Sequence, residues 1–144
     1  MREIRTEIEI GASVQRVWSV LTDLEDFGEW NPFIVRADGE LLPGERLVLT
    51  MRLPGRRART FRPTVLAHDP NRELRWLGRL GIPGIFDGEH AHRVQALPDG
   101  RTRYVQEEGF RGILVPFVGG ILRATEEAFR GMNEALKTRA EAQS

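Results

Sequence analysis

The sequence predicts an α+β domain in which a curved antiparallel sheet of about seven strands wraps around one long C-terminal helix. Three observations lead to this fold: an alternating strand at the N-terminus, strand-length runs separated by turn formers over residues 34–112, and a helical apolar stripe over residues 116–141. A helix of that length needs a wide apolar partner, which the concave face of the strands supplies. At 144 residues, one domain spanning 1–144 accounts for the chain.

The N-terminal part predicts one strand and two short helices. Residues 2–10 alternate largely between charged and apolar side chains, which is typical of a strand with one buried face. Ser13 is a suitable N-cap for a helix whose apolar residues follow the i, i+3, i+4, i+7 spacing (Val14, Val17, Trp18 and Leu21). Thr22 and Glu25 match a capping box for a second helix, which must end before Pro32.

The central and C-terminal parts predict hairpins followed by an amphipathic helix. Asp99-Gly100 is the strongest hairpin signal, because both residues tolerate the positive φ of tight turns, and it joins predicted strands 89–97 and 101–110. Over residues 116–141, apolar and charged side chains occupy opposite helical faces. We therefore expect Phe129 and Met132 to face the sheet.

The charge balance disfavours a nucleic-acid partner. Lys and Arg total 21, as do Asp and Glu, so no field of one sign covers the surface. One basic cluster lies beside Pro54-Gly55 and is interpreted as a solvated hairpin tip (Arg56, Arg57, Arg59 and Arg62).

Cysteine is absent, which excludes disulfides, thiolate metal sites and a thiol nucleophile. The sequence also lacks a run of about 20 apolar residues and an apolar signal-like N-terminus, so we expect a cytoplasmic protein without stable membrane insertion. The pattern leaves the oligomeric state open between monomer and homodimer.

The order of elements, taken with several short motifs, resembles the START-like superfamily, also called the SRPBCC or helix-grip fold. The motifs are residues 8–13 leading into Val17-Trp18, then Trp30-Asn31-Pro32, 74–76, 88–90, 108–112 and 132–137. The later motifs resemble a bacterial polyketide cyclase or dehydrase-like branch. The resemblance implies binding of a lipid-like or polyketide-like molecule, and it implies no shared catalytic residues, so cyclase activity is an analogy.

Strand parity predicts which side chains face the interior. Because side chains alternate between the two faces of a strand, the outward charges Arg93, Arg101 and Arg103 place the intervening residues on the concave side. These inward residues are Phe86, Gly88, His90, His92, Val94 and Ala96 on one strand, and Tyr104, Gln106, Glu108 and Phe110 on the next. The strand before them turns Leu74, Trp76, Gly78 and Leu80 inward.

The inward set predicts a mostly apolar cavity that holds a few polar groups. Ligand binding is assigned to Trp76, Gly88, His92, Tyr104, Gln106, Phe110, Phe129 and Met132. Glu108 and His90 are the candidate acid/base pair, since burial and a charged neighbour can bring either pKa towards neutrality. Three interpretations stay open: the pair satisfies itself within the core, orients a ligand, or transfers protons. His90, His92 and Glu108 could hold a metal ion, but two histidines two residues apart are common in strands, so neither a metal nor a cofactor is expected.

The sequence thus predicts binding or carriage of a small hydrophobic molecule. The alternatives are a cyclase or dehydratase acting through Glu108 and His90, and an interaction module whose interior is filled by its own side chains.

Overall fold

A computed structural model describes residues 2–79 and 83–142 of the chain. Within these residues, eight strands and three helices follow the order β1 (Arg2–Ile10), α1 (Val14–Thr22), α2 (Phe27–Trp30), then β2 to β8, then α3 (Gly119–Glu141). The strands after α2 are β2 (Ile34–Asp38), β3 (Val48–Met51), β4 (Arg59–Phe61), β5 (Thr64–Asp69), β6 (Glu73–Arg79), β7 (Asp87–Ala96) and β8 (Thr102–Arg111). Single 3-10 turns precede α2 and α3, at Leu24–Asp26 and Val115–Phe117.

The strands form two antiparallel sheets. Five strands pair in the order β1-β8-β7-β6-β5, and three pair in the order β2-β3-β4. Backbone hydrogen bonds connect the chain before β3 to β5, including Gly44 N–H to the Val65 carbonyl and Leu47 N–H to the Pro63 carbonyl. The smaller sheet is thereby attached to the edge of the larger one.

The predicted fold class is confirmed, with differences in detail. β1 has the predicted bounds, and the Ser13 hydroxyl caps α1 by accepting from Arg16 N–H at 3.1 Å. The predicted capping box at Thr22 is wrong: Thr22 is the last residue of α1, and its hydroxyl donates to the Trp18 carbonyl at 2.8 Å. α3 begins three residues later than predicted, because the 3-10 turn occupies the first positions.

The facing of β6, β7 and β8 largely follows the prediction. His90, His92, Tyr104 and Gln106 are almost fully buried, and the predicted tip arginines 56, 57, 59 and 62 are exposed. The prediction for Ala96 is wrong: it ends β7 beside the hairpin and is exposed. Leu80 lies outside the described residues.

α3 packs against β1, α1 and the inner face of the larger sheet. Its buried residues include Leu122, Phe129, Met132 and Leu136, which confirms the predicted stripe. Four hydrogen bonds with residues 9–16 hold the C-terminal end of α3. The Arg16 guanidinium donates to the carbonyls of Arg139 and Ala140. Gly11 N–H donates to the Glu141 carboxylate, and Lys137 Nζ donates to the Glu9 carbonyl. At the N-terminal end no side chain of the described residues caps the helix at Val118.

Candidate functional site

The β7–β8 hairpin positions the candidate site. Its register places His92 opposite Gln106, His90 opposite Glu108, and Gly88 opposite Phe110. Opposed residues of an antiparallel pair project from the same face. The sequence-predicted polar residues therefore come together in one cluster beneath α3.

His90 lies at the centre of this cluster and is 1 % exposed. Its ring stacks on Phe129 with centroids 4.7 Å apart and packs edge-to-face with Trp76, with centroids 5.1 Å apart. Burial among these rings lowers the pKa of His90 to about 4, an effect that its hydrogen bond to Gln106 only partly offsets. His90 is therefore neutral at physiological pH.

His92 and Tyr104 form a second buried pair. His92 Nδ1 lies 2.6 Å from the Tyr104 hydroxyl, and the two imidazole rings of His90 and His92 stack 4.3 Å apart. Burial lowers the pKa of His92 well below its usual value and raises the pKa of Tyr104 well above its own, so both groups stay neutral. His92 Nε2 is buried and has no hydrogen-bond partner among the described residues. A buried polar atom without a partner destabilises the fold by about 1–3 kcal/mol.

Glu108 lies at the edge of the cluster, with its side chain 16 % exposed. Burial raises the pKa of Glu108 to about 8, which keeps the carboxyl group protonated at neutral pH. One carboxyl oxygen is 3.8 Å from His90 Nδ1. Because both groups are neutral, this is a close approach of a proton donor and an acceptor, not an ion pair.

Gly88 leaves the space that the Glu108 carboxyl group occupies. A β-carbon at position 88 would collide with Glu108 Oε2. The predicted role of Gly88 in ligand contact stays a prediction, and its structural effect is to admit the Glu108 side chain to the inner face.

Gln106 is bonded within the protein. Its Nε2 donates to Asn133 Oδ1 at 3.0 Å, and its Oε1 lies 2.8 Å from His90 Nε2. Asn133 Nδ2 in turn donates to Thr6 Oγ1 at 2.9 Å. Sequence reasoning missed Asn133 and Thr6. The sequence pattern could have identified both residues: Asn133 is four residues after Phe129 on the apolar face of α3, and Thr6 alternates with the outward-facing residues of β1.

Aromatic and aliphatic side chains surround the polar groups and pack against one another. Phe110 stacks on Phe86 at 5.5 Å, Phe33 lies 5.7 Å from Phe129, and Met132 is fully buried. Two surface depressions of about 210 and 400 Å³ are lined mainly by charged residues outside the cluster. Several side chains that were predicted to line an open cavity are thus packed against one another beneath α3.

Two further features bear on the predicted site. Within residues 2–79 and 83–142, no three His, Asp or Glu side chains are arranged to hold a metal ion. None of the helices in that part of the chain is long and apolar enough to cross a membrane.

Solved structures share this architecture. A START superfamily protein from Mycobacterium smegmatis superposes with a TM-score of 0.77 at 19 % identity, covering 99 % of each chain. The protein MLL2253 from Mesorhizobium loti gives 0.75 at 20 % identity and covers 99 % of each chain. The Zhui aromatase/cyclase from Streptomyces sp. R1128 gives a TM-score of 0.79 at 17 % identity, covering 97 % of this chain and 93 % of that one. At these identities the likeness shows the fold alone.

Comparison with curated proteins gave no match. The sequence profile of a protein family, by contrast, matches residues 1–141, which is nearly the whole chain. The chain therefore belongs to the family described as polyketide cyclase / dehydrase and lipid transport.

Proposed function

We propose that the chain binds a small hydrophobic molecule, lipid-like or polyketide-like, between the larger sheet and α3. The observation that supports this most is His92 Nε2, a buried polar atom without a partner among the described residues, set beside the aromatic faces of Trp76 and His90. A ligand oxygen or nitrogen bonded there would satisfy this atom, while the surrounding rings would bury the apolar part of the ligand.

Binding in this place requires the packed side chains to move apart. The segment between β8 and α3 carries the exposed apolar side chains of Ile113 (68 % exposed) and Phe117 (81 %), and Ile121 in the first turn of α3 is 40 % exposed. Exposed apolar residues grouped in one segment are typical of a surface that meets a hydrophobic molecule. We propose that the ligand enters past this segment. We further propose that the protein is cytoplasmic, acts without nucleic acid, and is a monomer or a homodimer.

Replacing arginines 56, 57 and 59 together by serine should leave the Kd for an apolar fluorescent probe within about twofold, because these residues are exposed in the loop that joins β3 to β4 and at the start of β4. Trp76→Leu should weaken the same probe at least about tenfold, since it removes a buried aromatic wall 3 % exposed. Fluorescence titration of both variants measures the two Kd values. Loss of binding in the arginine variant alone would move the site to the hairpin.

Native mass spectrometry of the protein purified from its own host complements the titration. A retained small molecule of hydrophobic character supports the proposal. An empty chain that also fails to bind the probe supports an interaction module with a filled interior instead.

A second candidate function is acid/base catalysis by Glu108 and His90, as in a cyclase or dehydratase. It is favoured by the 3.8 Å approach of the carboxyl group to His90 Nδ1 and by the raised pKa of Glu108, which makes it a proton donor near neutral pH. On this proposal Glu108 gives a proton to the substrate, and His90 Nδ1 takes one.

Glu108→Gln distinguishes catalysis from carriage. If the pair transfers protons, turnover of a polyketide-like substrate should fall about 100-fold or more, with little change in affinity. In a carrier the binding free energy should instead change by about 1–3 kcal/mol if the carboxyl group touches the ligand. Glu107→Gln is the matched control, because Glu107 projects from the opposite face of β8 and pairs with Arg93. Equal effects of the two substitutions would refute both roles for Glu108.

A further inference from the structure

A directional chain of hydrogen bonds ends at His90. Thr6 Oγ1 donates to the Gln106 backbone carbonyl at 3.3 Å, and Asn133 Nδ2 donates to Thr6 Oγ1. Gln106 Nε2 donates to Asn133 Oδ1, and Gln106 Oε1 faces His90 Nε2. All four side chains are at most 3 % exposed, so each must find its partners within the protein.

Backbone carbonyls fix the donor-to-acceptor direction of this series of hydrogen bonds, because a carbonyl oxygen can only accept a hydrogen bond. Gln106 Nε2 lies 3.5 Å from the Phe129 carbonyl, so the amide nitrogen, not the oxygen, must point towards α3. The carbonyl oxygen of the Gln106 side chain then points at His90. An oxygen there requires a hydrogen on His90 Nε2, since two acceptors cannot share one hydrogen bond without a proton.

The opposite ring nitrogen is left without a proton. His90 is neutral at physiological pH, so the hydrogen on Nε2 is its only ring N–H. Nδ1 therefore carries a lone pair, and it faces Glu108 Oε1 at 3.8 Å.

We propose that Gln106, Asn133 and Thr6 are positioning residues that hold His90 in the Nε2–H tautomer, so that Nδ1 is the proton acceptor on the Glu108 side of the cluster. This assigns a role to two residues on β1 and α3, far apart in sequence from the hairpin. The proposal deepens the acid/base candidate function, on which its biological relevance rests. The tautomer itself is a property of the unliganded protein and can be tested without any substrate.

Nitrogen-15 NMR of histidine-labelled protein between pH 6 and 8 is the test. The chain has three histidines, and a His90→Gln sample assigns the His90 signals. In the wild-type protein we expect a protonated Nε2 and an unprotonated Nδ1, with the Nε2–H form in excess by about tenfold or more. A protonated Nδ1 in the wild type would overturn the proposal.

Two variants test the cause. Gln106→Leu removes the acceptor of His90 Nε2–H and should lower the tautomer ratio about tenfold, because the Nε2–H form then loses the hydrogen bond that favours it. Asn133→Leu should lower the ratio by a smaller factor, since the Phe129 carbonyl still orients Gln106. Asn133→Asp keeps the oxygen that accepts from Gln106 Nε2 but loses the donor to Thr6 Oγ1, so its ratio should lie between those of Asn133→Leu and the wild type. Thr125→Val is the matched control: it removes an α3 hydroxyl outside this network, which donates to the Ile121 carbonyl of its own helix.

The outcomes separate this proposal from the proposed function. An unchanged ratio in folded Gln106→Leu would overturn the positioning role, whatever the protein binds. If Gln106→Leu does not fold, the wild-type tautomer and the pair Asn133→Leu and Asn133→Asp decide the question. A shifted ratio in a protein that neither binds nor turns over any probe would support the positioning role and reject the proposed function.

Discussion

Phe129→Ala should lower the free energy of unfolding by about 3–5 kcal/mol, which is typical of removing a fully buried aromatic ring. Phe129 is 0 % exposed and contacts the rings of His90 and Phe33. The loss combines the transfer free energy of the ring with the cavity that remains beneath α3. Urea denaturation followed by tryptophan fluorescence measures it.

Phe117→Ala is the matched control for this substitution. The same atoms are removed from a side chain that is 81 % exposed, so the free energy of unfolding should change by less than about 0.5 kcal/mol. A loss below about 1 kcal/mol for Phe129→Ala would show that α3 leaves an open space at this position and that the ring does not close the core.

Glu108→Gln should make the protein more stable than wild type at alkaline pH. Burial raises the pKa of Glu108 from 4.5 to about 8, so the folded state binds a proton that the unfolded state releases. The wild-type stability from this group is fully present below pH 4.5 and is lost as pH rises through 8. The difference in unfolding free energy between variant and wild type should therefore grow by about 3–5 kcal/mol from pH 4.5 to pH 9.

Urea denaturation at a series of pH values checks this result. His90, whose lowered pKa makes the protein lose stability as pH falls from 6.5 to about 4, is present in both proteins and cancels in the difference. Glu107→Gln again serves as the control on the outer face of β8. A difference that is constant with pH would mean that Glu108 is already ionised in the folded protein at neutral pH, which removes its role as a proton donor.

The elements with strong local signals could be predicted from the sequence. The alternation in residues 2–10 defined β1, Asp99-Gly100 located the β7–β8 hairpin, and the apolar stripe defined most of α3. The division of the strands into two sheets could not be predicted, because both the strand pairing and the attachment of one sheet to the other, between residues 44–47 and 63–65, are made by backbone groups that leave no side-chain pattern. Thr22 was misassigned because a hydroxyl can bond to the preceding turn of its own helix as well as cap the next one.

For the candidate site, parity identified the residues but not what each of them does. Alternation placed His90, His92, Tyr104 and Gln106 inside, yet only distances show that Gln106 is fully used by protein groups and that His92 Nε2 has no partner in the described part of the chain. Pattern likewise cannot tell an open cavity from a packed interior, because that difference depends on side-chain conformations on both sides of the core.

The two ends of α3 are held by different numbers of hydrogen bonds, which should give the helix a gradient of local stability. Four hydrogen bonds with residues 9–16 hold its C-terminal end, while Gly119 and Gly120 begin it without a side-chain cap from the described residues. Glycine weakens a helix by about 1 kcal/mol relative to alanine, so the first turns should open in fluctuations that leave the last turns intact. In native-state hydrogen exchange, amide protection should therefore rise along α3 from Gly120 towards Leu136. A molecule that enters beneath the helix would then need only this partial opening, and its exchange rate would be independent of global unfolding.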